Sequence, residues 1–346
     1  MRAVVLTGHG GLEQLTPHED WPVTEPAESE VLIAVGACAV NATDVNTRVG
    51  WYAKDGGEGA WDAPIAFPRI QGADVCGRVV ACGKSVPPGL VGERVLVDPW
   101  LRDPQAPDDL ARCGYLGSER DGGYAEFVTV PARNVHPVRS PLSDAELASF
   151  PTSAGTAENL LRRAGVSAGE TVIVTGASGG VGTALVQLVR RRGALPFAVC
   201  GREKADRVRA LGAEAVLARE DGDLAVQLEG LGLDSVDVVV DVVGGKDWAQ
   251  LLGLLRRGGR YAVAGAVAGP VVEFDLRTLY LADLTLVGVA VTPPELFPDL
   301  VGYVERGEIR PVVASTYPLE GARDAQAAFV EARHVGKIVL DVAAGA

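Results

Sequence analysis

Positive charge is scarce in this chain: 32 Lys and Arg stand against 45 Asp and Glu, a net charge of −13. A nucleic-acid backbone or an anionic membrane surface would be repelled by that balance, so neither is an expected partner. Cysteine is scarce too, with five residues, no Cys-x-x-Cys pair, and no histidine at a metal-ligand spacing from any of them. The pattern excludes a disulfide framework and points to reduced thiols. Cys38, Cys76, Cys82 and Cys200 sit in or beside apolar runs and read as small core residues, while Cys113 sits in a loop where it could be exposed. No apolar run approaches the roughly 20 residues of a membrane span. The segment 1–10 carries no leader pattern, and the cytoplasm is the expected compartment.

What is present is ordinary globular material, 47% hydrophobic, and 346 residues are too many for one core, so two domains are expected. Up to about Val135, short alternating or apolar runs at 3–6, 30–36, 77–80, 94–97 and 125–130 suggest an irregular barrel or sandwich. The stretches 51–68 and 99–120 read as long loops without periodicity. From Ser143 onward helices alternate with strands at 171–174, 195–200, 215–217, 236–241, 260–265 and 284–289. Alternation of this kind builds a parallel sheet covered by helices on both faces. The tail, a helix at 320–334 and a strand at 337–342, is expected to return to the first domain.

The run Thr171–Gly182, TVIVTGASGGVG, carries the most chemistry. A buried strand, a glycine turn and an apolar helix in that order form a dinucleotide diphosphate site. Gly179 lets the backbone approach the diphosphate, Gly182 lets helix pack on strand, and the free N–H groups of the helix N-terminus face the anion. Ala177 replaces the usual first glycine of the fingerprint. At the end of the next strand, where NAD enzymes carry a carboxylate for the ribose 2′-hydroxyl, stand Gly201, Arg202, Glu203 and Lys204. A guanidinium suits a 2′-phosphate, so Arg202 and Lys204 favour NADP(H); the plainer reading makes them solvated first-turn charges.

The stretches VNATD (40–44), RVGWY (48–52), GERV (92–95), DGGYAEF (121–127), VDVVVDVVGG (236–245), GGRYAVAGA (258–266) and GKIVL (336–340) join this fingerprint. Over essentially its whole length the chain resembles the medium-chain dehydrogenase/reductase superfamily, in the zinc-independent branch of quinone oxidoreductases and enoyl reductases. The resemblance implies an α/β protein: a GroES-like β-rich catalytic domain at 1–135, completed by 308–346, and a Rossmann doubly wound parallel-sheet cofactor domain at 136–307. It implies a homodimer paired through the last Rossmann strand, at 284–291.

Zinc members of the superfamily hold the metal by a Cys, a His in Gly-His-Glu and a later Cys. The matching places here carry Asn41, Gly72-Ala73-Asp74 and the 151–153 region, so no metal is expected. The same matching makes Tyr52 a proton donor or enolate stabiliser, or else a loop aromatic that packs over the cleft. Asn41 becomes a hydrogen-bonding group near the nicotinamide or substrate carbonyl, or else a helix cap. Asp44 and Arg48 stand at a spacing that lets them pair. Thr156 falls near the nicotinamide, Ser178, Gly179, Gly180 and Val181 around the diphosphate, Val243 near the adenosine or ribose, and Gly265 with Ala266 at a strand's ligand-binding end. Lys337 reads equally as a cleft or a surface lysine, and Trp51, Trp61 and Trp100 as pocket walls or loop anchors.

Together these residues predict a zinc-independent oxidoreductase that uses NADPH to reduce quinones or α,β-unsaturated carbonyl compounds, small molecules whose developing oxyanion is held by hydrogen bonds. The rivals are an enoyl-thioester reductase, a metal-free alcohol or carbonyl dehydrogenase and, outside enzymes, an NADPH-binding structural or sensory protein.

Overall fold

Strand Glu30–Ala39 buries Val31, Ile33 and Val35 in alternation and then Ala37, Cys38 and Ala39 in succession, and it forms the spine of the first of two units. The structure, a computed structural model, describes residues 1–52, 65–107 and 109–343. The first unit comprises Met1–Thr152 with Phe297–Ala346, and the second Ser153–Leu296.

In the first unit a seven-stranded sheet runs in the order Val135–Pro137, Arg94–Val97, Asp74–Cys82, Glu30–Ala39, Lys337–Asp341 and Val313–Pro318, with Phe127–Pro131 also paired to the spine. A smaller sheet of Leu15–His18, Ala3–Leu6 and Arg69–Ile70 shares its apolar core. Two long-range registers fix the end of the spine. Ala39 stands opposite Asp74 on one side and opposite Val339 on the other. The Val40 N–H then donates to the Ile338 carbonyl at 2.9 Å, and the chain enters helix Ala42–Val49 with Asn41 as its N-cap. Continuing that register brings Lys337, the first residue of its strand, level with Asn41.

The second unit is a six-stranded sheet, every pairing parallel, in the order Ala215–Ala218, Leu195–Cys200, Thr171–Val174, Val236–Asp241, Leu255–Val263 and Thr285–Gly288. Numbered along the chain this is the doubly wound 3-2-1-4-5-6 arrangement. The expected pair of architectures, β-rich unit and parallel α/β unit, is present.

Several expectations need correction. The units divide at 152/153 and 296/297, not at 135/136 and 307/308. Strand Val135–Pro137 pairs Arg94–Val97, helix Asp144–Ala148 packs on Glu30–Ala39, and Phe297, Leu300, Val301 and Val304 of helix Leu296–Glu305 join Leu96 and Phe150, so apolar burial carries these segments into the first unit. The 99–120 segment is not wholly irregular: Trp100–Leu101 pairs antiparallel with Gly114–Tyr115, and Cys113 is buried. Burial pushes the thiols of Cys38, Cys76, Cys113 and Cys200 up, consistent with inert core cysteines. Strand Leu255–Val263 ends before Gly265 and Ala266, which lie in the turn beyond it. Most of the 51–68 loop, including Trp61, lies outside the described residues.

Candidate active site

Asn41, Asp74 and Lys337 meet where three strands end together. The Lys337 ammonium donates to Asn41 Oδ1 at 2.5 Å and to Asp74 Oδ2 at 3.0 Å, and the second Asp74 oxygen accepts the Thr152 N–H at 2.7 Å. All three side chains are buried. Lys337 is therefore not a surface lysine. Asn41 stands at the N-cap position of its helix, and its backbone N–H is held by the Asp44 carboxylate at 2.8 Å.

Asp44 lies one turn along the same helix, fully enclosed. Its carboxylate also accepts the Gly72 N–H at 3.1 Å and the Tyr124 hydroxyl at 3.2 Å. Burial drives the Asp44 carboxyl up to about 6, against the pull of the Asn41 N–H, Lys337 and the Gly72 N–H. Burial, reinforced by that carboxylate, pushes the Tyr124 hydroxyl well above the ordinary phenol range. The pairing of Asp44 with Arg48 does not form. Arg48 instead donates to Gln326 Oε1 at 2.8 Å and to the Gly10 carbonyl at 2.9 Å. Gln326 donates to Gln71 Oε1 at 3.0 Å and Gln71 to the Asp44 carbonyl at 2.7 Å, so a chain of donors of one polarity runs back to the helix.

Tyr52 follows the left-handed C-cap Gly50 (φ 74°), and its hydroxyl oxygen accepts from Asn46 Nδ2 at 3.3 Å, which leaves the phenolic hydrogen available to another acceptor. Asn41 and Tyr52 thus flank one eight-residue helix from opposite ends, with no hydrogen bond between them. A second tyrosine escaped the sequence reading. The Tyr115 hydroxyl is 2.8 Å from Thr152 Oγ1, and burial together with the nearby Asp74 carboxylate pushes it well above the ordinary phenol range. Its place in an aperiodic segment gave no signal.

In the second unit the glycine turn has the geometry its sequence implied. The left-handed residue is Gly176 (φ 56°), so Ala177 needs no special backbone and its methyl is buried. A Cβ at Gly182 would meet the Gly176 oxygen at 2.1 Å, so only glycine allows this approach of helix to turn. A Cβ at Gly179 would meet nothing nearer than 3.5 Å, which marks the open face of the turn. Helix Gly180–Arg191 begins there, and the Gly180, Val181 and Gly182 N–H groups precede its first intrahelical bond, Thr183 N–H to the Gly179 carbonyl at 2.9 Å. Across the switch point, buried Asp241 accepts Thr175 Oγ1 and the Tyr261 hydroxyl, each at 2.5 Å, and the Val243 N–H at 2.8 Å. The carboxylate thereby ties down the Val243-Gly244 turn, which packs on Ala266. Ser178, Gly179, Gly180, Val181, Val243, Gly265 and Ala266 share this C-terminal edge of the sheet, while Thr156 lies in helix Pro151–Arg163. Open glycine face, unbonded N–H groups and helix N-terminus fit a dinucleotide diphosphate.

Arg202 and Lys204 both stand at the end of strand Leu195–Cys200, in a short 3-10 turn. Lys204 is buried, which excludes its reading as a solvated charge. Arg202 is exposed and paired with Asp221, and its N–H donates to Glu220 Oε2 at 2.9 Å. Sequence reasoning missed these carboxylates because they come from the adjacent strand's end.

Residues 27–140 match the alcohol dehydrogenase GroES-like domain family, and residues 180–306 the zinc-binding dehydrogenase family. The quinone oxidoreductase of Lama guanicoe is 31% identical across 98% of this chain and 97% of its own. A solved Sinorhizobium meliloti protein, provisionally described as an alcohol dehydrogenase, is 48% identical with a TM-score of 0.93, covering 99% of this chain and 96% of its own. A 2-octenoyl-CoA carboxylase reductase, solved with NADP and 2-octenoyl-CoA, is 27% identical with a TM-score of 0.86, covering 100% of this chain and 88% of its own. The zinc implied by the second family name does not fit the residues present. Asn41 Oδ1 and Asp74 Oδ2 both face the Lys337 ammonium, a cation that would repel a metal, and among the described residues no cluster of His, Cys, Asp or Glu could hold one. On these matches the chain is an oxidoreductase that belongs to the medium-chain dehydrogenase/reductase superfamily, in its quinone oxidoreductase-like branch.

Proposed function

We propose that this protein is a metal-independent, NADPH-dependent reductase of quinones and α,β-unsaturated carbonyl compounds. One observation carries the reading: the Lys337 ammonium is bound by Asn41 and Asp74, two residues in the stretches that the family resemblance sets against the metal-binding stretches of zinc relatives. A reductase so equipped must hold developing negative charge with hydrogen bonds, and conjugated carbonyls place that charge on an oxygen that an N–H or O–H can reach. When bound, the dinucleotide supplies a hydride to the conjugated carbon. The Gly180, Val181 and Gly182 N–H groups hold its diphosphate, and Arg202 with Lys204 its 2′-phosphate once Arg202 is released from Asp221. Asn41 donates to the substrate oxygen, and Tyr52, whose oxygen is already engaged by Asn46, supplies a proton.

Enoyl thioesters form a second acceptor class, favoured by the likeness to a reductase solved with 2-octenoyl-CoA. The exposed edge strand Thr285–Gly288, with Val271, Leu276, Tyr280 and Leu281 exposed before it, supports a homodimer in which a second copy covers that edge. The test of function is NADPH consumption by chelator-treated protein with 1,4-quinones, enones and crotonyl thioesters. Consumption that survives chelation supports the reading, and turnover of aldehydes alone, dependent on added zinc, refutes it.

A further inference from the structure

An ammonium has three donors and no acceptor, so the Asn41 atom 2.5 Å from Lys337 Nζ is necessarily the amide oxygen. That assignment settles the polarity of the side chain. The oxygen is spent on Lys337, and the NH₂ group has only a long contact to the Ala39 carbonyl, 3.4 Å. Lys337 cannot drift, because Asp74 holds it at 3.0 Å and is itself held by the Thr152 N–H at 2.7 Å. An unrestrained asparagine can turn its amide over at little steric cost, presenting oxygen where nitrogen stood. This one cannot while Lys337 is charged.

We infer that Lys337 is a positioning residue: it fixes Asn41 as an obligate hydrogen-bond donor, aimed at the carbonyl, quinone or thioester oxygen of the acceptor substrate. The inference rests on the reductase reading and narrows it. A substrate that offers only N–H or O–H donors at that point is rejected, whereas an oxygen gaining charge is held more tightly in the transition state than before it. The residue therefore acts on kcat more than on KM.

Lys337→Met alone would leave Asp74 buried and unpaired, so the informative variant is Lys337→Met with Asp74→Asn, which removes both charges together. It is compared with Asn41→Ala and with the triple variant. Three readouts are taken: the Asn41 side-chain ¹⁵N resonance, identified by its loss in Asn41→Ala; the affinity for NADPH by fluorescence; and kcat and KM with a quinone and an enone. An ammonium on the amide oxygen draws electron density from nitrogen. The wild-type resonance is therefore expected downfield of ordinary asparagine amides and moves upfield in the charge-pair variant. The variant is expected to keep NADPH affinity while kcat falls about 10-fold or more, toward the range seen on removal of an oxyanion donor. Adding Asn41→Ala then costs less than it costs the wild type. An unmoved amide resonance overturns the inference, as does a charge-pair variant with kcat within about two-fold of wild type beside a crippled Asn41→Ala. A wild type with the downfield resonance but no turnover of either acceptor overturns instead the reductase reading and the substrate half of the inference, leaving the amide polarity standing.

Discussion

A carboxyl as enclosed as Asp44 makes stability depend on pH. Its folded value near 6 lies above the 3.8 of a free aspartate, so the folded state holds the proton more tightly. The stabilisation is therefore complete below pH 3.8 and is lost as pH rises through 6, a difference of about 3 kcal/mol for this group. In Asp44→Asn the component is absent, so the urea midpoint of wild type relative to the variant should fall as pH rises across that window. Equal slopes would contradict the assignment. Tyr52→Phe is expected to lower kcat about 100-fold, at the small end for a lost proton donor, with the thermal midpoint unchanged. A full-rate variant would return Tyr52 to the role of a packing aromatic. Asn41 and Tyr52 were legible in the sequence because they stand in short stretches, VNATD and RVGWY, that carry the family resemblance. For Lys337 the sequence left cleft and surface equally open, because its contact with Asn41 spans 296 positions and depends on a strand register that composition does not encode. Tyr115 reaches Thr152 only because a segment with no periodicity closes into a two-stranded ribbon.

Strand, turn and helix at Thr171–Arg191 form an element whose glycines have separable duties. Gly179→Ala places its methyl on the open face, with 3.5 Å to the nearest protein atom, so the fold should persist while the dinucleotide is pushed away. We expect a thermal midpoint close to wild type and an NADPH dissociation constant raised about 10-fold or more, about 1.4 kcal/mol, by isothermal calorimetry. Gly182→Ala drives its methyl to 2.1 Å from the Gly176 oxygen and should lower the thermal midpoint even without ligand. If both variants lose stability alike, the open face has been misassigned. This element was readable because everything it needs lies within a few residues. The strand at 260–265 was read too late in the chain, since Arg256, Arg257, Gly258 and Gly259 break the apolar run although the backbone is already in the sheet from Leu255. Parallel pairing with Val236–Asp241 overrides local propensity there.

For the molecule as a whole, the order of patterns, β-rich, then alternating, then a returning tail, announced both architectures. The unit boundaries moved because the segments near 136–152 and 297–307 bury their apolar faces on the first unit's sheet, a choice that only tertiary packing makes. Among the described residues, Thr285–Gly288 is the uncovered edge of the parallel sheet on that side. Val287→Lys on that edge should convert a dimer to monomer in sedimentation velocity, whereas an unchanged sedimentation coefficient would place the partner elsewhere or show that none exists. The central claim, that hydride transfer here proceeds with hydrogen bonds in the place of a metal, is tested most directly by one assay. Chelator-treated protein is mixed with NADPH, and in parallel with NADH, against a quinone, an enone and an aldehyde. Reduction of the quinone or enone is expected, faster with NADPH and indifferent to chelator. Activity confined to the aldehyde and restored by zinc would contradict it.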